Sequence, residues 1–111
     1  MKDKPLPKSL REKKRYIAFQ AYGQGIDQKA IGKAIYTSAG RLLGRLEMAK
    51  AGISIITFDE KTKKGILRVS TKYADHAKAS LLFIQSIDDQ ETIVHSLVSS
   101  GMLKKAKAVL V

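Results

Sequence analysis

The side chains suited to acid–base or metal chemistry are few and scattered in this sequence. His76 and His95 are the only histidines, and neither has a histidine or carboxylate partner at metal-ligand spacing. Asp88 and Asp89 are adjacent carboxylates, a pair that can hold magnesium, but aspartates also stabilise turns by hydrogen bonding to nearby backbone. We interpret this pair as part of a turn. The sequence therefore predicts no catalytic and no metal-binding residues.

The sequence also lacks the residues and motifs needed for thiol chemistry or for binding a nucleotide cofactor. The chain has no cysteine, which excludes disulfides, thiolate zinc sites and thiol nucleophiles. It has no phosphate-binding loop of the Walker type. Gly23 and Gly25 lie between a predicted strand and a predicted helix, but the third glycine of a dinucleotide-binding fingerprint is missing. We expect the protein to bind no cofactor of its own.

The chemistry that remains is that of cationic side chains. The chain has 21 lysines and arginines against 10 aspartates and glutamates, a net charge of +11 on 12.2 kDa. The charged exterior of a thermophilic protein usually balances lysine with glutamate, so this excess predicts a polyanionic partner. Nucleic acid is the partner that we expect, ahead of a membrane surface. Such binding weakens as the salt concentration rises.

The basic residues fall into three groups along the chain, while most acidic residues lie elsewhere. The first group occupies the N-terminal 15 residues, the second a predicted hairpin, and the third the C-terminal segment. A segregation of this kind predicts one RNA-facing side. The candidate RNA-binding residues are Arg11, Lys13, Lys14, Arg15, Tyr16, Lys61, Lys63, Lys64, Arg68, Lys104, Lys105 and Lys107. Lys72 belongs to the second group as well.

For two of these candidates, the position in a predicted strand gives a further reason to expect RNA binding. Tyr16 follows Arg15 and alternates with Ile17 in a predicted strand, so its ring is expected to leave the core and to stack on a base. Arg68 lies between Leu67 and Val69, which also directs its side chain away from the core. For Arg68 a cross-strand ion pair and an RNA contact both remain open.

These side chains are positioned by seven predicted elements. Alternating or continuously apolar segments predict four strands, and apolar residues about four apart predict helices. The apolar stripe of the first helix extends to Leu46, and the apolar face of the second includes Ile84 and Ile87. Asp27 is a suitable N-cap for the first helix. The predicted elements are a strand at 15–22, a helix at 28–48, strands at 53–58 and 66–71 around a turn at 59–65, a helix at 72–87, a strand at 91–98 and a short helix within 101–111.

This order is the split βαβ pattern of an α+β, ferredoxin-like or RNA-recognition-motif-like fold. It predicts an antiparallel four-stranded sheet with helices packed on one face and an extra C-terminal helix. We expect one domain at 9–111 after a flexible basic arm at 1–8, where Pro5 and Pro7 oppose helix formation. The third strand, GILRVST, lacks the motif's aromatic signature, so phosphate and shape contacts are expected over stacking of several bases.

The sequence also bears on the compartment. Its longest apolar stretches are far shorter than the roughly 20 residues that span a bilayer. The basic N-terminal segment is not followed by the apolar core of a secretory signal. We therefore expect a cytoplasmic protein with no membrane partner.

Three strings in this order resemble one family. They are SLREKKRYIAF at 9–19, GILRV at 65–69 and SGMLKKAK at 100–107, and they resemble the family of archaeal ribonuclease P protein component two, which includes a subunit of eukaryotic ribonuclease P/MRP. The most specific part is the spacing of Pro7, Arg11, Arg15 and Tyr16. The other matching positions are Gly65, Arg68, Gly101, Lys104 and Lys105.

The resemblance implies a ribonucleoprotein subunit. Such a chain pairs with ribonuclease P protein component three, a TIM-barrel-like protein, in a heterotetramer and binds the catalytic domain of the ribonuclease P RNA. The holoenzyme, an endoribonuclease, removes the 5′ leader of precursor tRNA. The resemblance also implies that the magnesium ions are held by the RNA, and that the protein supports the active RNA conformation without catalytic residues of its own. We expect the first and last helices to contact the protein partner.

Three alternatives are weaker. A ribosomal or other structural RNA-binding protein of the same fold would bind RNA without stimulating precursor-tRNA cleavage. A small-molecule-sensing ferredoxin-like domain has no need of the +11 charge. A stand-alone nuclease would need paired acidic ligands, which the sequence does not supply.

Overall fold

The central strand of the sheet is β1, Lys14–Tyr22. The computed structural model describes residues 13–110, so the predicted arm at 1–8 lies outside the described residues. β1 pairs antiparallel with β3 (Lys64–Ser70) and with β6 (Ile93–Ser100), and β3 also pairs with β2 (Ser54–Asp59). The resulting order, β2-β3-β1-β6, confirms the predicted four-stranded ferredoxin-like sheet.

Helix α1, Gln28–Ala51, begins where the sequence predicts. The Asp27 carboxylate accepts a hydrogen bond from the Ala30 backbone N–H at 2.7 Å, which confirms the predicted N-cap. The helix buries Ile31 and Ile35 against the sheet. It ends at Gly52, whose φ of 59° lies in the left-handed region that favours glycine.

The apolar stripe of α1 does not continue through its second half as predicted. Gly44 has φ 81° and ψ 171°, which are not helical angles, and two helical segments meet there in a kink. The change of direction turns Leu46 outward, so its side chain is 78% exposed, and Met48 is buried in its place. A stripe extrapolated through Leu46 was wrong because it assumed an uninterrupted helix.

The second predicted helix is shorter than expected. A 3₁₀ turn at Thr71–Tyr73 leads into α2, Ala74–Leu82, and the chain then turns at Phe83. Ile84 and Ile87 are buried, as the periodicity predicted, but they reach the core from non-helical backbone. The spacing of apolar residues predicted which side chains are buried, but not whether the backbone that carries them is helical.

A small hairpin occupies the segment after α2. It consists of β4 (Ser86–Ile87) and β5 (Gln90–Glu91). Asp88 and Asp89, which join them, both have positive φ, the geometry of a two-residue type I′ turn. The turn interpretation of these aspartates is thereby confirmed. Since β5 uses residues 90 and 91, β6 begins at Ile93, later than predicted.

Both faces of the sheet carry a core. α1 and α2 cover the face of Ile17 and Phe19, where most buried residues lie. The C-terminal helix α3, Leu103–Ala108, covers part of the opposite face, which we call the α3 face. Ala18, Ile66 and Ala106 are fully buried there, with partly buried apolar neighbours that include Val98 and Leu103. The sheet is therefore enclosed at its centre.

Gly65 is required by the packing of two aromatic rings. It lies opposite Phe19 in β1 and opposite Phe58 in β2. The two rings stack across it, with centroids 6.1 Å apart and an interplanar angle of 12°. A Cβ atom on Gly65 would lie 2.6 Å from Phe19 Cζ and 2.7 Å from the Thr57 carbonyl oxygen. No residue with a side chain fits this position without displacement.

Candidate nucleic-acid interface

The structure divides the second basic group between the two ends of β3. Lys61, Lys63 and Lys64 lie at the start of β3, in what we call the hairpin cluster, whereas Arg68 and Lys72 lie at or beyond its other end. Ser70 lies six positions after Lys64 in the strand, a distance of about 20 Å. The second basic group is therefore spread along β3 and the residues that follow it.

The far end of β3 joins Arg68 to the N-terminal basic group. Lys14 lies opposite Ser70, and Tyr16 lies opposite Arg68. The backbone N–H of Thr71 donates to the Lys13 carbonyl oxygen at 2.9 Å, which extends this pairing. Arg11 lies outside the described residues.

Not every residue of this group shares a face. Arg15 lies opposite Val69, a core residue on the side of α1 and α2, whereas its neighbour Tyr16 belongs to the α3 face. The Lys14 ammonium nitrogen lies beside Gly52 at the end of α1. A cation close to a helix C-terminus is stabilised by the helix dipole. The three consecutive residues 14–16 thus have different surroundings.

Arg68 is exposed on the α3 face, as its alternation with Leu67 and Val69 predicted. Its neighbours across the sheet are Tyr16 and Ser54. Between residues 13 and 110 the ion pairs are Lys50–Glu47 at 3.7 Å and Lys78–Asp75 at 3.5 Å, so no described carboxylate pairs with Arg68. Of the two alternatives for Arg68, the cross-strand ion pair is not formed in this part of the chain.

Tyr16 contacts the apolar cluster under α3. It is partly buried and packs against the group formed by Ala18, Ile66 and Ala106. Base stacking by this ring stays a prediction, and the ring has a packing role in the folded chain.

The lysines of α3 face away from the sheet. Lys104, Lys105 and Lys107 are exposed, whereas Ala106 is fully buried. Lys64, Ile66 and Arg68 alternate along β3, and Ile66 packs beneath α3, so Lys64 and Arg68 share that face. Basic residues of the second and third groups therefore lie on the α3 side of the sheet, whereas Tyr16 is the member of the first group that lies there.

The hairpin cluster is held firmly against β1. The Asp59 carboxylate accepts a hydrogen bond from the Lys61 backbone N–H at 2.8 Å and so shapes the turn. The Gln20 side-chain amide donates to the Thr62 carbonyl oxygen at 2.8 Å. The Lys63 carbonyl oxygen accepts from the Ala21 backbone N–H at 2.8 Å, and the Lys63 ammonium group donates to the Gly23 carbonyl oxygen. These bonds fix the lysines relative to the sheet.

Comparison with known proteins identifies the family. The family model described as the Rpp14/Pop5 family matches residues 15–111. The chain belongs to the Rpp14/Pop5 family.

Several relatives carry one name, ribonuclease P protein component 2. The protein of that name from Thermococcus gammatolerans is 40% identical over 110 residues, 96% of this chain and 92% of that protein. The Pyrococcus furiosus protein is 37% identical over 105 residues, 94% of this chain and 88% of that protein. A chain in the cryo-EM structure of yeast ribonuclease MRP matches with a TM-score of 0.65 at 18% identity, covering 93% of this chain and 89% of that chain. This last similarity supports the fold.

The Rpp14/Pop5 chain also presents an aromatic pair that the sequence analysis missed. The rings of Tyr22 and His95 stack with centroids 5.4 Å apart and an interplanar angle of 22°. Tyr22 alternates with Gln20, Ala18 and Tyr16 in β1, so it belongs to the α3 face but lies beyond the helix. That alternation was visible in the sequence, whereas the partner across the sheet was not.

Two titratable groups of the Rpp14/Pop5 chain are in contact, one on α1 and one in the 3₁₀ turn before α2. The Tyr73 hydroxyl donates to the Glu47 carboxylate, which lowers the pKa of Glu47 and raises the pKa of Tyr73. His76 lies against the Tyr73 ring, with centroids 5.9 Å apart. Among residues 13–110, no three histidine, cysteine or acidic side chains come together to hold a metal ion. In the same range, no helix is long and apolar enough to cross a membrane.

Proposed function

We propose that this chain acts as an RNA-binding subunit of ribonuclease P, the endoribonuclease that removes the 5′ leader from precursor tRNA. The observation that carries the proposal is the α3 side of the sheet, which presents Lys64, Arg68 and the exposed lysines of α3 in a member of the Rpp14/Pop5 family. The name shared by its archaeal relatives supports the same function. The catalytic RNA is the polyanion that this surface contacts.

The role of the protein follows from its charges. A folded RNA brings phosphates close together, and their repulsion opposes the active conformation. Lysine and arginine side chains neutralise phosphates and release condensed counterions. The RNA holds the magnesium ions and supplies the chemistry, and the protein lowers the magnesium concentration at which the active conformation forms. Precursor tRNA is reached through the RNA.

A protein partner is proposed from a groove that has exposed apolar side chains among polar ones. The groove, of about 670 Å³, lies between α1 and the segment at 83–88. Leu42 and Phe83 line it and are 42% and 65% exposed, and Leu82 beside them is 68% exposed. Clustered exposed apolar side chains typically mark a protein contact. We assign this groove to ribonuclease P protein component three, within a heterotetramer, which agrees with the expected use of the first helix.

The function is tested by precursor-tRNA cleavage at low magnesium. A reconstituted archaeal ribonuclease P RNA with its other protein subunits is assayed with and without this chain. Cleavage is expected to depend on the chain, and to fall when Lys64, Arg68 and Lys105 are replaced by alanine. A variant with Lys29, Arg45 and Lys50 replaced loses the same charge on α1 and serves as the control.

The salt dependence sharpens this test. Each lost phosphate contact lowers the slope of log affinity against log salt by about 0.9 for a duplex. Replacing Lys64, Arg68 and Lys105 is therefore expected to lower the slope for the ribonuclease P RNA by about 2–3, while the control variant keeps it. Cleavage that is independent of the chain would refute the proposal. Tight RNA binding without stimulation would instead indicate another RNA-binding protein of the same fold.

The partner is tested by the mass of the complex. Light scattering on the chain mixed with component three is expected to give a heterotetramer, and Phe83→Ser is expected to reduce it to the separate proteins. Leu97→Ser is the control, because Leu97 is 36% exposed and lies in β6, outside the residues that line the groove. Assembly that is insensitive to Phe83→Ser would place the contact elsewhere.

A further inference from the structure

The α3 face is only partly covered by α3. In β1, Tyr16 and Ala18 contact the cluster beneath the helix, whereas Gln20 and Tyr22 lie beyond it. Tyr22 is 54% exposed, and Ile93, directly opposite it in β6, is 59% exposed. An aromatic and a branched apolar side chain are therefore both exposed to solvent, side by side on the sheet.

The exposed aromatic ring is held in place before any ligand arrives. His95 lies opposite Gln20, so it is the diagonal neighbour of Tyr22 across the strands. Its ring stacks on the Tyr22 ring at a centroid distance of 5.4 Å. The stack restricts the rotation of Tyr22 and leaves more than half of that side chain accessible. We call Tyr22, Ile93 and His95 the platform.

The hairpin cluster lies beside the platform. Lys64 is opposite Gln20 in the sheet, and the Lys63 ammonium group bonds to the carbonyl of Gly23, the residue after Tyr22. Gln20 ties the turn to β1 through the Thr62 carbonyl. The Asp59 carboxylate of the same turn accepts backbone hydrogen bonds within the turn itself. The apolar surface of the platform therefore lies next to the positive charges of the hairpin cluster.

We propose that the platform binds an unpaired RNA base by stacking, with Lys61, Lys63 and Lys64 on the adjoining phosphates. The inference rests on the proposed function and specifies a part of the RNA that this surface takes. An exposed ring on a sheet accepts any base with a free face, and that face is hidden in a duplex. The lysines complement the sugar-phosphate chain that must leave the platform on either side.

The test uses the full chain and a labelled single-stranded hexauridylate RNA at low salt. Tyr22→Ala is expected to weaken binding by about 5-fold to 140-fold, the equivalent of 1–3 kcal/mol per stacked base. Tyr22→Phe keeps the ring and is expected to keep the affinity. Tyr36→Ala is the matched control, because Tyr36 is 58% exposed but lies on α1, and it is expected to bind as the wild type does.

Charge and stacking are separated by the salt dependence. Lys61→Ala and Lys64→Ala are each expected to lower the salt slope by about 0.7, the value per phosphate of a single strand. Tyr22→Ala is expected to leave that slope unchanged. A duplex RNA of the same length is expected to respond to the lysine variants but not to Tyr22→Ala.

The outcomes distinguish this inference from the proposed function. Equal affinities of Tyr22→Ala and wild type for hexauridylate, or no wild-type binding, would overturn the platform. Precursor-tRNA cleavage that still depends on the chain would then leave the proposed function standing. Cleavage that does not depend on the chain would refute the proposed function, whatever the result with hexauridylate. Thermal melting by circular dichroism confirms that Tyr22→Ala is folded before its affinity is interpreted.

Discussion

The packing at Gly65 predicts a large effect from the smallest possible side chain. Gly65→Ala places a methyl group 2.6 Å from Phe19 Cζ and 2.7 Å from the Thr57 carbonyl oxygen. Ordinary carbon contacts lie at about 3.5–4.0 Å, so the overlap with the ring is about 1 Å. Phe19 is fully buried and stacked on Phe58, and Thr57 belongs to a paired strand. Neither neighbour can move away freely.

Overpacking of a core costs about 1–3 kcal/mol, and we expect the upper part of that range because one clash is with backbone. At about 4–8 °C per kcal/mol for a small domain, Gly65→Ala is expected to lower Tm by about 10 °C or more. Urea unfolding followed by circular dichroism measures the free energy directly. The double variant with Phe19→Leu removes the ring atoms and is expected to lose less stability than the sum of the two single changes.

Gly40→Ala is the matched control for the same chemical change. Its Cβ would meet only Met48 Cγ, at 3.9 Å, which is ordinary contact. Alanine is favoured over glycine inside a helix by about 0.5–1 kcal/mol, so this variant is expected to be more stable than wild type. If Gly65→Ala unfolds with the wild-type free energy, the argument from the stacked rings is refuted.

Three further predictions concern the helices. Ala106→Glu places a charge in the buried cluster beneath α3 and is expected to lower Tm sharply, whereas Ala108→Glu, on the exposed side, is expected to change it little. Asp27→Ala removes the N-cap bond of α1 and is expected to cost about 0.5–2 kcal/mol in urea unfolding. Since Tyr73 lowers the pKa of Glu47, this contact stabilises the fold above the ordinary value of 4.5, and the contribution is lost as the pH falls through the lowered pKa. Tyr73→Phe is expected to flatten that part of the pH–stability profile, and an unchanged profile would contradict the assignment.

The sequence was sufficient where a local pattern and the tertiary structure agree. Ile17 and Phe19 alternate in β1 and are buried as predicted. Asp27 caps α1 because its side chain bonds within one turn, a short-range effect that a sequence displays directly. The order of elements then restricted the topology to the ferredoxin-like sheet that the structure has.

Contacts between elements that are distant in the sequence could not be predicted from it. The buried spacing of Ile84 and Ile87 is that of a helix, but a turn and a short strand produce it here. Nothing in α3 itself shows which face of the sheet it covers, so the packing of Tyr16 beneath it was not foreseen. The pairing of Tyr22 with His95 depends on the register of β1 against β6, which is set by contacts distant in sequence.

The kink at Gly44 has a consequence for how the chain opens. It divides α1 into segments at 28–43 and 45–51, because the backbone angles of Gly44 are not helical. Helices shorter than about 12–15 residues are marginal in water on their own, so the second segment depends on burial of Met48 and Ala51 and on the cap at Gly52. Its amide hydrogens are therefore expected to exchange with solvent through a local opening that leaves the first segment protected. Native-state hydrogen exchange is therefore expected to show two cooperative units of unequal stability within α1.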